Sequence, residues 1–381
     1  MARARIIEAD AEAPPEADRL EGWPHPRETA EILGHGEAER RIVDAIASDR
    51  MHHAWLLTGE HGIGKASFAY RFARFLLAQD AELPDGVSDL SIAPESQTYR
   101  QVAGLSHPGL LIIRRAWDRQ GKKFRQSIAV DDIRSVRHFL QRTAVTPWRT
   151  VIVDSADDLN LNSANALLKS LEEPPPRTVF LLISSSPGRL LPTIRSRCRT
   201  VRFEPLGADD LRTAIVNACE TSGHEMPRGE QLETLAGLSR GSVRRALQLI
   251  EGNGLTLFQS IITLLESLPR LNRQALHKLI GLTAGRDTLA HETAFDLLEE
   301  VLADVIRACP AGENAVTAFP QLRRFPGLIT PDNLADWAEL WETMREARGE
   351  TERLNLDKAA LTVTVFERIA RLSRMQAQAA P

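Results

Sequence analysis

The stretch AWLLTGEHGIGKASFAYRFARFLL, residues 54–77, decides the fold. Its first five residues are an apolar run of strand length that ends in glycine. Beyond Lys65 the period changes, and Phe68, Phe72 and Phe75 recur at helical spacing. Strand, glycine-rich loop and helix, in that order, form the context a phosphate-binding loop requires. Within GEHGIGKA (59–66), Gly59, Gly62 and Gly64 let backbone N–H groups curl around phosphate oxygens. The helix N-terminus adds partial positive charge, and Lys65 reaches toward a β- or γ-phosphate. The plainer alternative is a glycine-rich turn with a lone lysine; the flanking strand and helix argue against it.

Outward from this loop, strand and helix signals alternate. LLII (110–113), VIVD (151–154), VFLLIS (179–184) and the short VRF (201–203) read as further strands. Residues 131–141 read as a helix capped by Asp131, with Ile133, Val136 and Leu140 as its apolar stripe. NSANALLKSLEEPPP (162–176) reads as another, capped by Asn162 or Ser163 and stopped by the prolines from Pro174. Nearly continuous apolar strands separated by helices predict a parallel sheet with helices on both faces. Residues 1–25, rich in Ala, Glu and Pro, predict a flexible N-terminal tail. Residues 79–108 have no clear period and read as an insertion or long loop.

Past residue 205 the strand signals fade. The organisation expected is an α/β domain over 26–205, a small helical domain over 206–253 and an all-helical domain over 254–381. In the last, Trp337 and Trp341 share one helix face, a spacing that reads as core more readily than as interface.

The chain has 381 residues, enough for two or three domains at roughly 150 residues each. Hydrophobic residues make up 43% and charged residues 26%, which excludes wholesale disorder. The net charge of −4 gives no sign of a strongly basic nucleic-acid binder. Local clusters at Arg114/Arg115 and Lys122/Lys123/Arg125 read as DNA contacts or as a solvated loop. Cys198, Cys219 and Cys309 are far apart, so neither a disulfide framework nor a zinc site is predicted. No apolar run approaches the ~18 residues of a membrane span, and the N-terminus has no secretory h-region. A reducing, cytoplasmic setting is expected.

The phosphate loop is incomplete. The position after Lys65 should carry a hydroxyl for Mg²⁺, and it is Ala66. Ser67, one residue on, is turned by about 100° on a helix. Asp154 ends a strand where a carboxylate holds a metal-bound water, but Ser155 follows it and is too weakly basic to activate an attacking water. Asp157 and Asp158 read as helix-capping, solvated residues. Two defects at separate catalytic positions predict that hydrolysis has been lost, with weak binding of ATP or ADP retained and Mg²⁺ coordination weak or absent.

The segments ILGHGEAERRI, GEHGIGKA, VIVDSADDLNLNSANALLKSLEEPPPRTVFLLISSSP, LLPTIRSRCRTVRF and GSVRRAL together resemble the clamp-loader branch of the AAA+ ATPases. The LLKSLEEPP and SRC segments are the specific part. Gamma or tau motor subunits of that branch carry an intact phosphate loop, an acidic pair after the second motif and a four-cysteine zinc module. The present sequence lacks all three, as the delta-prime subunits of bacterial DNA polymerase III clamp loaders often lack the catalytic elements. The resemblance implies an AAA+ P-loop domain, a helical lid domain and a C-terminal helical collar. It implies that Arg197 of Ser196-Arg197-Cys198 is an arginine finger acting in trans on a motor subunit's nucleotide, where a permanent planar charge suits a transferring phosphoryl group. Read alone, Arg195, Arg197, Arg199 and Arg202 are a solvated basic edge. Arg244 matches the second sensor arginine, or else is a surface charge; Gly34 and His35 match the loop near adenine; Ser184–Ser186 lie near the first sensor. The implied partners are gamma/tau and delta subunits, with the sliding clamp and primed DNA reached through the complex. The competing readings are a self-sufficient ATPase and a plain nucleotide sensor.

Overall fold

A computed structural model describes residues 15–83, 86–143, 146–283, 289–308, 329–354 and 356–379. The chain divides into two compact units. One comprises residues 1–227 with 239–245, the other residues 228–238 with 246–381.

The first unit is an α/β layer. In chain order its elements are α1 (Gly36–Ala47), β1 (Ala54–Thr58), α2 (Lys65–Leu77), α3 (Gln97–Ala103), β2 (Leu110–Ile113), β3 (Trp117–Asp118), β4 (Lys123–Phe124), α4 (Val130–Gln141), β5 (Arg149–Val153), α5 (Leu161–Glu172), β6 (Thr178–Ser184), α6 (Pro192–Arg195), β7 (Arg199–Arg202) and α7 (Ala208–Ser222). Five strands form one parallel sheet in the order β2-β5-β6-β1-β7, while β3 and β4 make a separate two-stranded antiparallel hairpin. The predicted parallel sheet is thus borne out.

Side-chain alternation explains the continuous apolar strands. Trp55 and Leu57 of β1, with Leu181 of β6 and Ile152 of β5, join a core with Ile42 of α1 and Phe68 and Phe72 of α2. Leu56, Phe180, Leu182 and Val151 point the other way, onto Ile133 and Val136 of α4 and Leu167 and Leu171 of α5. The three central strands, β5, β6 and β1, are buried on both faces, so a polar residue in the middle of one would meet a core whichever way it pointed. Parallel registry aligns the strand ends, setting Thr58 beside Ser184.

Several sequence expectations need correction. The loose tail does not extend to residue 25: Asp18, Trp23 and His25 are buried. Residues 79–108 are not a structureless loop. They hold α3, whose first turn is capped by Ser96 accepting from the Tyr99 N–H, and they bury Leu90, Ile92, Tyr99 and Val102. The cap of α5 is Asn160, whose Oδ1 accepts from the Ser163 N–H at 2.9 Å, not Asn162 or Ser163. Asp131 does not cap α4; the carboxylate of Asp132 reaches back to the Ala129 N–H instead. Side-chain oxygens at either end of a first turn can satisfy the same orphan N–H groups, so sequence alone leaves such caps ambiguous by a residue or two.

Two further helices are α8 (Glu230–Ser239) and α9 (Val243–Glu251), and the second unit continues through α10 (Gly254–Glu266), α11 (Arg273–Thr283), α12 (Leu289–Ala308), α13 (Leu334–Leu354) and α14 (Lys358–Ala379). Helix α10 packs on α11 and α12, while α13 packs on α12 and α14. Trp337 is fully buried, as its helical spacing predicts. Trp341 donates from Nε1 to the Glu299 carbonyl at 3.0 Å. No described helix is long and apolar enough to cross a membrane. Cys309 lies outside the described residues.

Candidate nucleotide site

The carboxyl ends of β1, β5 and β6 converge on one edge of the sheet, where ligands bind in open α/β folds. From β1 the chain enters the loop 59–64 and then α2, whose N-cap Gly64 supplies no side-chain bond to the first-turn N–H groups. Gly62 has a φ of +78° and lies against residues 242–244: a Cβ there would come within 2.4 Å of Ser242 Oγ and 2.6 Å of Arg244 Cβ. The Arg244 N–H donates to the Gly62 carbonyl and the Ser242 hydroxyl to the His61 carbonyl. These bonds bring Arg244, far away in sequence, to the phosphate loop. Gly34 also has positive φ, and a Cβ on it would meet Leu206 at 2.6 Å. Next to it, the His35 ring lies buried with Nε2 2.7 Å from the Ile63 carbonyl. Burial lowers its pKa against the opposing effect of that carbonyl, so the ring is neutral with its proton on Nε2.

Lys65 is buried, and its ammonium donates to the Gly59 carbonyl at 2.8 Å, the Glu60 carbonyl at 2.5 Å and Ser185 Oγ at 3.0 Å. All three of its protons are thereby engaged. Burial brings its pKa down to about 8, although Asp154, Asp157 and Glu60 oppose the shift. Asp154 stands at the end of β5, and burial followed by the nearby Asp18 carboxylate raises its pKa to about 7. Ser155, after it, adopts left-handed backbone with φ 58°, a conformation that costs a non-glycine residue about 1 kcal/mol or more.

Asp157 does not play the capping, solvated role its position suggested. Its carboxylate accepts from the Ser184 hydroxyl at 2.5 Å, the Ser185 N–H at 2.6 Å and the Ser186 N–H at 3.1 Å. It therefore fixes the end of β6 and, through Ser185, the hydroxyl that meets Lys65. Asp158 pairs with Arg115 at 3.0 Å. Arg114 is likewise ion-paired, so both members of that basic pair have acidic partners within the chain. Lys122, Lys123 and Arg125 are exposed on the β3–β4 hairpin.

The partners of Arg114 are Glu16 Oε1 at 2.5 Å and Asp18 Oδ1 at 2.6 Å. Arg27 bonds Glu16 Oε2 at 2.6 Å, and Tyr70 donates to Asp18 Oδ2 at 3.4 Å. His25 Nε2 lies 3.3 Å from both carboxylates. Burial alone would raise the pKa of Asp18, but His25 and Arg114 outweigh it and hold the carboxyl at about 2. The carbonyl of Asp18 accepts from Arg244 Nη1 at 3.1 Å. Trp23 stacks on His224 with ring centroids 4.0 Å apart. Nothing in the sequence periodicity marked Glu16, Asp18 or Arg114 as neighbours of this site; the acidic residues sit in a stretch whose composition resembles disorder.

Glu16, Asp18 and His25 are, among the described residues, the group whose spacing would suit a cation. The chemistry does not fit one. The Arg27 N–H donates to His25 Nδ1 at 3.1 Å, which leaves the ring proton on Nε2, facing the carboxylates. Two guanidinium groups already neutralise those carboxylates. For magnesium beside the phosphate loop, Ala66 offers no oxygen, and Asp154 is half protonated near neutral pH. The loop itself retains the backbone curl and open helix N-terminus that suit a phosphate.

Arg197 lies away from these groups, half-exposed after α6. It donates to the Thr193 carbonyl at 2.9 Å and pairs with Glu172 at 2.7 Å. Such exposed pairs contribute about 0–1 kcal/mol, so the guanidinium is readily redirected. Burial drives the neighbouring Cys198 thiol up to about 12, which rules out an activated thiolate.

Residues 34–207 match the family described as DNA polymerase III, delta subunit. The matched stretch is a little under half of the chain. It includes the phosphate loop, Asp154 and Arg197. The DNA polymerase III delta' subunit of Pseudomonas aeruginosa is 36% identical over 203 residues, covering 53% of this chain and 56% of that protein. The tau subunit of Escherichia coli is 29% identical over 253 residues, covering 64% of this chain and 36% of tau. The chain thus spans little more than half the length, or less, of these curated relatives. Among solved structures, a gamma subunit-related protein from Thermotoga maritima aligns over 87% of this chain and 99% of its own, with 17% identity and a TM-score of 0.43.

Proposed function

We propose that the chain is a delta-prime-type subunit of a DNA polymerase III clamp loader, an AAA+ subunit that no longer hydrolyses nucleotide itself. In this reading Arg197 swings from Glu172 to the γ-phosphate of ATP held by a neighbouring gamma/tau-type motor subunit. Residues 206–253 serve as the lid and 254–381 as a collar that meets sister subunits, delta among them. The assembled complex loads the sliding clamp onto primed DNA. ATP or ADP binds this chain weakly, with little help from Mg²⁺.

The observation that carries the reading is a contrast. Ala66 and Ser155 stand where hydrolysis needs a metal hydroxyl and a base, and Lys65 is spent on the chain's own Gly59, Glu60 and Ser185. Arg197, meanwhile, is half-exposed and held by one surface ion pair and a bond to the Thr193 carbonyl. A guanidinium delivered in trans typically accelerates phosphoryl transfer by about 10³–10⁵.

The test is reconstitution with gamma/tau-type and delta subunits. Arg197→Ala is expected to abolish turnover at the one motor site it serves and lower the complex's DNA-stimulated ATPase, with assembly intact by gel filtration. The isolated chain is expected to show no turnover. Brisk hydrolysis by the isolated chain, lost in Lys65→Ala, would sink the reading and identify a self-sufficient ATPase.

A further inference from the structure

We infer that residues 16–28 are a tethered occupant of the chain's own nucleotide site, and that a nucleotide polyphosphate binds only by displacing them. The inference rests on the reading of the 59–66 loop as a nucleotide site. It adds the mechanism by which that site is kept closed.

Three observations converge. First, the segment engages a cation otherwise available to a phosphate. Arg244, which lies against Gly62 of the phosphate loop, donates to the Asp18 carbonyl at 3.1 Å. Second, the segment brings its own anions. The carboxylates of Glu16 and Asp18 are clamped by Arg114, directly after β2, beside the strand that ends at Asp154. Asp18 is close enough to Asp154 to hinder its ionisation. A polyphosphate arriving here would have to take Arg114 from carboxylates that already hold it in close ion pairs. Third, the segment is fastened at several points along its length. Trp23 is buried on His224, His25 is fully buried, Arg27 bonds the Ala103 carbonyl, and Arg74 donates to the carbonyls of Arg27 and Thr29. The anchors at Trp23 and Arg27 lie outside the phosphate loop, so the strap is built on its own contacts and is not simply the edge of the loop.

The occupant and a nucleotide compete for Arg244 and for the space near Asp154. Releasing the strap therefore raises nucleotide affinity, because the intrinsic affinity is reduced by the fraction of molecules in which the site is open. Glu16 and Asp18 would act as internal stand-ins for phosphate charge, held where a nucleotide's own anions would go.

The experiment measures ADP binding to the full chain by isothermal titration, with and without Mg²⁺, for wild type, Glu16→Gln/Asp18→Asn and Trp23→Ala. The double substitution removes the negative charges; Trp23→Ala loosens the other end without touching them. Both are expected to tighten ADP binding at least tenfold over wild type. Hydrogen exchange on the wild-type chain supplies a readout that needs no variant to fold: saturating ADP should speed exchange of the amides at 16–28. Unchanged or weaker ADP binding in both folded variants would overturn the inference. So would protection of those amides by ADP, or no detectable ADP binding in any of the three proteins. None of these outcomes touches Arg197 acting in trans, which is read from the reconstituted complex.

Discussion

Replacing Gly62 with alanine separates the structural role of the phosphate loop from any role in binding nucleotide. Gly62 has a φ of +78°, which costs an L-residue about 1–2 kcal/mol. The added Cβ would lie 2.4 Å from Ser242 Oγ and 2.6 Å from Arg244 Cβ, both inside contact distance. Overpacking of this kind costs about 1–3 kcal/mol. If Ser242 moves to make room, its bond to the His61 carbonyl is lost, another ~1 kcal/mol. Alanine returns about 0.4–1 kcal/mol by restricting the unfolded chain. The net expectation is a loss of about 2–5 kcal/mol with no nucleotide present. Native-state hydrogen exchange at β1 and β6 amides reads it, because those strands open only when the whole unit unfolds. Gly36→Ala is the control: Gly36 begins α1, and a Cβ there meets nothing within 4 Å. It should leave stability within about 0.5–1 kcal/mol of wild type or raise it. A Gly62→Ala loss below about 0.5 kcal/mol, or one equal to the control, would refute the argument that this glycine is held by packing against residues 242–244.

Two further predictions concern the strand ends. Asp154 has a folded pKa raised to about 7 from 3.8, so the native state holds an extra proton between those values. Keeping that carboxyl ionised costs stability that grows as pH rises from about 4 to 7 and is full above 7, on the order of 4 kcal/mol. Asp154→Asn should therefore stabilise the unit more at pH 8 than at pH 5, measured by urea melts; a pH-independent difference would contradict the burial of that group. Asp157→Ala removes the acceptor of the Ser184 hydroxyl and the Ser185 and Ser186 N–H groups. It is expected to cost about 2–4 kcal/mol and to speed exchange of the 185–186 amides selectively.

Much of the fold could be read from the residues because its determinants are local. The central strands β1 and β6 are apolar on both faces, and the Phe68–Phe72–Phe75 stripe has one periodicity that a buried helix satisfies. The glycine loop followed the same logic. What escaped was decided by long-range partners. Asp157 reads as a cap because acidic residues after a strand usually are; its actual partners lie 27–29 positions away. Glu16 and Asp18 sit in a stretch poor in apolar residues, and the partner that joins both carboxylates, Arg114, lies some 96–98 positions on. Short insertions such as 79–108 hide a helix of one or two turns whose stability comes from packing, which periodicity over seven residues cannot reveal.

The bonds around Ser185 close a loop through three strand ends. Asp157 after β5 holds the backbone of Ser185 after β6, and the Ser185 hydroxyl holds Lys65 after β1. Whatever draws the ammonium forward must also release that hydroxyl, and strain then reaches the aspartate behind it. A neighbour pressing on the outer end of β6 would tug the lysine by the same route in reverse, so occupancy and shape at this edge cannot vary independently.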